Sequence, residues 1–429
     1  MTQSLLQNFL KKLKIIFTDK QLLMRIGFIF GILIVFRALS AIPVPGVNTG
    51  ELARFLNNNE FFGFLNIFSG GGLNNLSIAL LGVGPFITAS IIMQLLTLMV
   101  PKLKELYHES GEMGRRTFNQ YSRYLTVPLA IVQGAALLAV LAGKGIIPGF
   151  PAPQAFINIV IVVAGSFLMM WLGELISEFG IGQGVSIIIF AGIVASIPNS
   201  INQAFFSYDP SQLPIYIGFA IVAVLIVAGV VMLTEAERLV PVTYAKQQAR
   251  AGYVTSSTSS HIPLRMNQAG VMPIIFALSI LMFPRLIATA IAGSSHAWIA
   301  ATGTAVSSFL GNQLYYGILY FVLVFVFTYF YTAVTFDAEA MSNNLQKSGA
   351  FIPNVRPGVP TAEYVGKIMT RITFFGGLFL AIIAVLPTIF QAVSGNQSFA
   401  IGGTALLIVV SVIIDMIKKL SAQASMNEY

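Results

Sequence analysis

Ten runs of mostly apolar residues, each close to twenty long, recur along this chain, near 21–42, 79–100, 121–142, 152–174, 183–204, 213–235, 268–291, 313–336, 368–391 and 400–420. A helix needs roughly 20 such residues to cross about 30 Å of hydrocarbon. The pattern therefore predicts an all-α polytopic membrane protein with ten transmembrane helices. Charge agrees: 9% of the 429 residues are Asp, Glu, Lys or Arg, against about a quarter in soluble proteins. A soluble surface would still need polar cover. Pro85, Pro128 and Pro273 fall inside or beside the runs and are tolerable where neighbouring helices satisfy the freed carbonyls. The chain has no cysteine, which excludes disulfides, thiolate metal sites and cysteine nucleophiles.

The first twenty residues differ. Leu5, Leu6, Phe9, Leu10, Leu13, Ile16 and Phe17 repeat at helical spacing with Lys11, Lys12 and Lys14 between them, which reads as a basic amphipathic helix on the membrane surface. Ala38-Leu39-Ser40 resembles a signal-peptide cleavage site, but Arg37 interrupts the apolar stretch before it. With the N-terminus in the cytoplasm, twenty of the 24 Lys and Arg residues fall on inner segments. Only Arg37, Arg54, Lys144 and Arg285 fall outside. That is the positive-inside distribution, with both termini inside. Much of the net charge of +8 is thus topology.

Two inner loops are longer than a connection requires. Segment 236–267 holds Arg238, Lys246 and Arg250 between extended-looking flanks with a Ser/Thr-rich tip. Segment 337–367 opens on Asp337 at a helix N-cap position and runs to Ile352-Pro353-Asn354-Val355-Arg356-Pro357-Gly358, whose prolines predict an extended backbone around Arg356. Long ordered loops are usually binding surfaces. Segment 61–77, FFGFLNIFSGGGLNNLS, is too short and glycine-rich to cross, yet more apolar than an ordinary external loop. It is either a surface loop with exposed phenylalanines or backbone enclosed by protein or a water-filled cavity at membrane depth.

Within the runs nearly every acid lies at an end: Glu174, Glu178, Glu235, Asp337 and Asp415. An ion-coupled secondary transporter, the rival reading, normally keeps carboxylates near the midplane. His108, His261 and His296 all fall in predicted loops, no HExxH or Gly-x-Ser-x-Gly motif occurs, and Gly180-Ile181-Gly182-Gln183-Gly184 follows no strand. No enzyme, metal or nucleotide chemistry is indicated, and no cofactor is expected.

Several motifs in order resemble the SecY family, the channel subunits of the bacterial protein translocase and their Sec61-alpha relatives. They include Ile42-Pro43-Val44-Pro45-Gly46, the glycine-rich 68–72, Gly84-Pro85-Phe86-Ile87-Thr88-Ala89-Ser90, Gly180 to Gly192, Asn267-Gln268-Ala269-Gly270-Val271-Met272-Pro273, the segment around Arg356, and Gly402-Gly403-Thr404. The resemblance covers nearly the whole chain. It implies two inverted pseudo-symmetric halves around a central pore: a surface helix at 1–20, an N-terminal half at 21–204 and a C-terminal half at 205–429. It further implies a pore ring of Val83, Ile87, Val185, Ile189, Ile275 and Ile408. A plug at 61–77 would follow, with Phe64, Leu65 and Phe68 against the ring and Gly70, Gly71 and Gly72 as hinge. Thr88, Gln133 and Asn267 match the polar positions of a lateral gate between the second and third spans and the seventh and eighth. Arg356, with Arg238, Lys246 and Arg250, would dock the SecA motor and the ribosome. The implied setting is a bacterial cell membrane, with SecE and SecG as small membrane subunits. Secretory preproteins, signal peptides and membrane lipids are the remaining implied partners.

Overall fold

A computed structural model describes residues 19–44, 65–66, 69–73, 76–108, 111–143, 152–206, 213–244, 259–293, 296–394 and 398–426. The amphipathic segment before Asp19, Phe64, Phe68, Lys246 and Arg250 lie outside the described residues. Helices fall on all ten expected runs: α1 Lys20–Ala41, α2 Gly84–Met99, α4 Gly111–Gly143, α5 Ala152–Phe179, α6 Gly184–Phe206, α7 Leu213–Glu235, α8 Met272–Ile291, α10 Gln313–Thr335, α12 Val359–Ser394 and α13 Ser398–Met426. Among the described residues seven of these are long and apolar enough to cross a membrane by themselves. An eighth crossing is possible if α2 and the short α3 (Pro101–His108) count as one span bent by 112°. The bend sits at Val100-Pro101, where proline removes a backbone donor and holds the preceding residue extended.

Local chemistry sets the helix ends. The Asp19 carboxylate accepts from the Gln21 and Leu22 amides to start α1, and Pro85 and Pro273 occupy first-turn positions of α2 and α8, where a missing N–H costs nothing. Asp337 caps α11 (Ala338–Lys347), accepting from the Ala340 amide at 2.9 Å, as its position predicts.

Helix packing repeats along the chain. In the first five spans α2 packs on α4, α4 on α5, α5 on α6, and α1 on both α5 and α6. The corresponding pairs in the second five are α8 with α10, α10 with α12, α12 with α13, and α7 with α12 and α13, and all of these pack as well. Five crossings per unit is odd, so two such units run oppositely through a bilayer. The units meet at two seams, α8 against α2 and α4, and α13 against α6. Burial separates centre from rim: 61% of the apolar stretch of α12 is buried, but only 17% of that of α7.

At one end of the bundle the two long loops fold together. Strand β1 (Glu237–Tyr244) pairs antiparallel with β2 (Ser259–Arg265), Glu237 opposite Arg265 and Val242 opposite Ser260. Its other edge takes β3 (Ala350–Phe351), giving the order β2-β1-β3. The strand pair matches the extended flanks read from sequence; its union with the second loop has no counterpart there. Val240, Val242, Leu264, Ala350 and Ile352 pack on Val365, Met369 and Ile372 of α12, so the sheet sits on that helix. His261 belongs to β2 rather than to a loop. Two helices were not expected at all: α3, which carries His108 rather than leaving it in a loop, and α9 (Ala297–Gly311), at the opposite end from the sheet, which packs against α8 and α10.

Candidate pore constriction, gate and docking face

The residues matched to the pore ring come from four helices. Val83 precedes α2, Ile87 is in its first turn, Val185 and Ile189 are one turn apart on α6, and Ile275 and Ile408 lie on α8 and α13. Five of them belong to one contiguous apolar cluster, and Val185 packs against it. Five are fully buried, with exposures from 0 to 4%. Val185 is only half-buried and packs against Gly173 of α5, at the edge of the cluster. The α5–α6 turn that sets Ile189 is built by glycine: Gly182 has φ +93°, and a Cβ on Gly184 would fall on the Gly173 carbonyl. The Ser177 hydroxyl accepts from the Gly184 amide at 2.9 Å. The glycine-rich run is thus a helix-end turn.

The described part of 61–77 is inside the bundle. Ser69, Leu73 and Ser77 are 0% exposed and Leu76 1%, which rules out a surface loop for these residues. The Val44 amide donates to the Leu76 carbonyl and the Ile78 amide to that of Ile42, stitching the segment to the end of α1. Gly70 and Gly71 have φ +67° and +84°, the left-handed region that glycine enters without cost. Gly70 is wedged between two helices: a Cβ on Gly70 would enter the Phe36 ring of α1, and a Cβ on Gly192 of α6 would fall on the Gly70 Cα. Gly192 lies three residues beyond Ile189, away from the sheet end, where Gly182 approaches Lys419. The segment therefore seats on the side of the cluster opposite the sheet.

Where α2, α4 and α8 meet, a cavity of ≈ 40 Å³ is lined by Thr88, Gln133 and Ser279, with Leu65 from the 61–77 segment and Phe283. That volume holds a few waters. The Thr88 and Ser279 hydroxyls donate to their own helices, to the carbonyls of Gly84 and Ile275, leaving their lone pairs for the cavity. Thr88 and Gln133 thus line one cavity, and Asn267 is not among its lining residues. It sits in the turn ahead of α8, donating its amide to the Gly270 carbonyl at 3.0 Å while its side-chain oxygen is buried without a partner. Its place at the cavity is taken by Ser279. Nothing in the sequence separates Ser279 from other serines on apolar helices, which satisfy themselves on the preceding turn.

Arg356 and Arg238 are exposed at the sheet end. The backbone at Arg356 is not the extended run that its prolines suggest. Asn354 at φ +65° and Gly358 at φ +95° turn the chain on either side, because hydroxyls fix the loop: Thr361 donates to the Arg356 carbonyl at 2.8 Å and Ser342 of α11 to that of Gly358 at 2.7 Å. The guanidinium is therefore presented from a fastened turn. Arg238 is held on β1, whose first residue Glu237 pairs across the sheet with Arg265 at 3.2 Å.

Known proteins of this architecture are close at hand. The SecY family model matches residues 77–417. A protein translocase subunit SecY of Pseudomonas aeruginosa is 41% identical over 94% of this chain and 91% of its own length. That of Halalkalibacterium halodurans is 40% identical over 96% and 97%. A solved structure described as a protein conducting channel superposes with a TM-score of 0.64 at 17% identity, covering 94% of this chain and 92% of the other. Another, described by the plug domain of SecY stabilising the closed state, gives 0.63. With the helix order, the buried glycine-rich segment and the apolar cluster accounted for together, the chain belongs to the SecY family of protein translocase subunits.

Proposed function

We propose that this chain is the pore-forming subunit of a protein translocation channel, passing unfolded polypeptide across the membrane and releasing apolar segments sideways into the bilayer. The observation that carries it is the set of branched aliphatic residues that four helices from both halves bring into one apolar cluster, with a glycine-hinged segment seated on one side. Val83, Ile87, Ile189, Ile275 and Ile408, with Val185 at the rim, form the constriction. Such a ring wets poorly and grips no particular side chain. The segment with Leu65 and Gly70 to Gly72 is its plug, and Phe64 and Phe68 belong to it by position. Residues 21–204 and 205–429 are the two halves, and the sheet end faces the cytoplasm of a bacterial cell, with both termini there and segment 1–20 on the membrane surface.

Site-specific crosslinkers at Ile87, Ile275 and Ile408 should capture an arrested secretory chain in transit. Adducts at lipid-facing Val224 but not at these three would remove the pore assignment.

The gate opens along the seam between α8 and α2/α4. Its clamp is weak, since polar contacts between membrane helices average about 0.6 kcal/mol, whereas ten leucine-like residues of a signal peptide gain about 0.3–0.6 kcal/mol each in lipid. Gln133→Leu combined with Ser279→Ala is expected to change which marginally hydrophobic signals are exported, by about threefold for a shift of ~0.6 kcal/mol. The readout is export of a graded signal series, and an unaltered ranking would count against the clamp.

Arg356, on its fastened turn, is the principal docking residue for a SecA motor or a ribosome, assisted by Arg238, Lys246 and Arg250. SecE and SecG are the expected small membrane companions. Arg356→Glu should abolish most SecA-driven transport while leaving channel assembly intact, because a guanidinium pairs bidentately with carboxylate or phosphate and a carboxylate repels both. Transport at wild-type rate would reassign the docking site.

A further inference from the structure

Helix α9 carries no Asp, Glu, Lys or Arg in AWIAATGTAVSSFLG, yet much of it is open. One face is attached: Gly303 and Leu310 are buried, and a Cβ on Gly303 would strike the Ala288 carbonyl and the Ala292 amide at the far end of α8. The other face is an apolar stripe. Trp298 is 72% exposed, Val306 42% and Phe309 50%, and positions 298 and 309 lie about three turns apart on one side of the helix. The exposed hydroxyls on this helix are bonded back to its own backbone. Thr302 donates to the Ile299 carbonyl, Thr304 to those of Ala300 and Ala301, and Ser308 to that of Ala305. These side chains are satisfied without water.

A helix end-on to water would carry charge on such a face. This one instead continues the lipid-facing surface of its neighbour. Phe309 stacks on Tyr315 with ring centroids 5.1 Å apart and planes at 14°. From there α10 presents Leu314, Ile318 and Val322, all exposed. Tryptophan and tyrosine favour the headgroup level, where an apolar ring meets a polar edge.

We propose that α9 is a membrane-interface helix, its Trp298–Phe309 face seated at the headgroup–acyl boundary of the leaflet opposite the sheet end. The partner is the phospholipid surface itself. Because α9 is fixed to α8 and stacked on α10, it ties the C-terminal flank of the gate to that leaflet. The inference rests on the membrane-spanning reading of the bundle, and the test separates the two.

The chain has two tryptophans, and Trp171 is 54% exposed on the spanning helix α5. In the full-length chain in lipid nanodiscs, W171F isolates Trp298 and W298F isolates Trp171. Phospholipids brominated high on the acyl chain should quench Trp298 roughly twofold, more than lipids brominated near the chain end, and aqueous iodide should quench it little. Phe309→Asp should shift Trp298 emission to the red and raise iodide access. If iodide quenches Trp298 and brominated lipid does not, while Trp171 still responds to lipid, the interface assignment is overturned. Silence of both tryptophans toward brominated lipid would overturn the spanning reading as well.

Discussion

Replacing Gly192 by valine is expected to let ions through the resting channel while export of ordinary preproteins continues. The Gly192 position touches the Gly70 backbone so closely that any Cβ falls on its Cα. With 61–77 as the plug proposed above, the clash exists only while that segment is seated, because it forms the far side of the contact. Overpacking of this kind costs about 1–3 kcal/mol, and a penalty of ~2 kcal/mol on the closed state raises the open population about 30-fold. Planar-bilayer conductance of the purified channel measures this directly. Gly192→Ala should give a smaller leak of the same kind. A sealed Gly192→Val channel would mean that the plug is not held at this seat.

The second large effect is expected from Ile408→Asp. Ile408 is 1% exposed, and its companions in the proposed ring, Val83, Ile87, Ile189 and Ile275, are similarly enclosed, so a carboxylate there has no cation to meet. A charge at membrane depth costs about 2.5–3.5 kcal/mol on insertion scales, and the accessible relief is to draw water into the constriction. The seal then fails by hydration rather than by loss of bulk, and cation conductance should rise by an order of magnitude or more, since 1.4 kcal/mol is already tenfold. Ile408→Val, a change costing roughly 0.5–1.5 kcal/mol, should remain sealed. Leakage of both variants to the same extent would make packing, not wetting, the basis of the seal.

The two predictions rest on features of unequal visibility in the sequence. The spans were legible because apolar length is a direct physical requirement of lipid, and each of the ten runs became a helix. The Asp337 cap and the β1–β2 pair were legible for similar local reasons. Helix α9 escaped because its 15 residues are too few to cross a bilayer, and the self-bonded hydroxyls of its Thr and Ser appear only in three dimensions. Strand β3 is two residues long and exists only because β1 offers it an edge. Thr88 and Gln133 line a shared cavity together with Ser279, while Asn267 bonds Gly270 in the turn ahead of α8, an arrangement that depends on how three helices meet and so has no local signal. Gly192 shows no seat for Gly70 until the two segments are brought together, since glycine is common where membrane helices approach closely.

The three-stranded sheet has a mechanical consequence. β1 continues directly from α7, β2 leads into α8, and β3 connects α11, just after α10, to α12, while Gly376 of α12 is pressed against the Met266 carbonyl. Four spanning helices of the C-terminal half are therefore bolted to one plate, and among the described residues no strand joins the N-terminal half to it. Load applied to that plate is therefore carried first by the C-terminal half, and it reaches the N-terminal half only through the helix seams, α8 with α2 and α4, and α13 with α6.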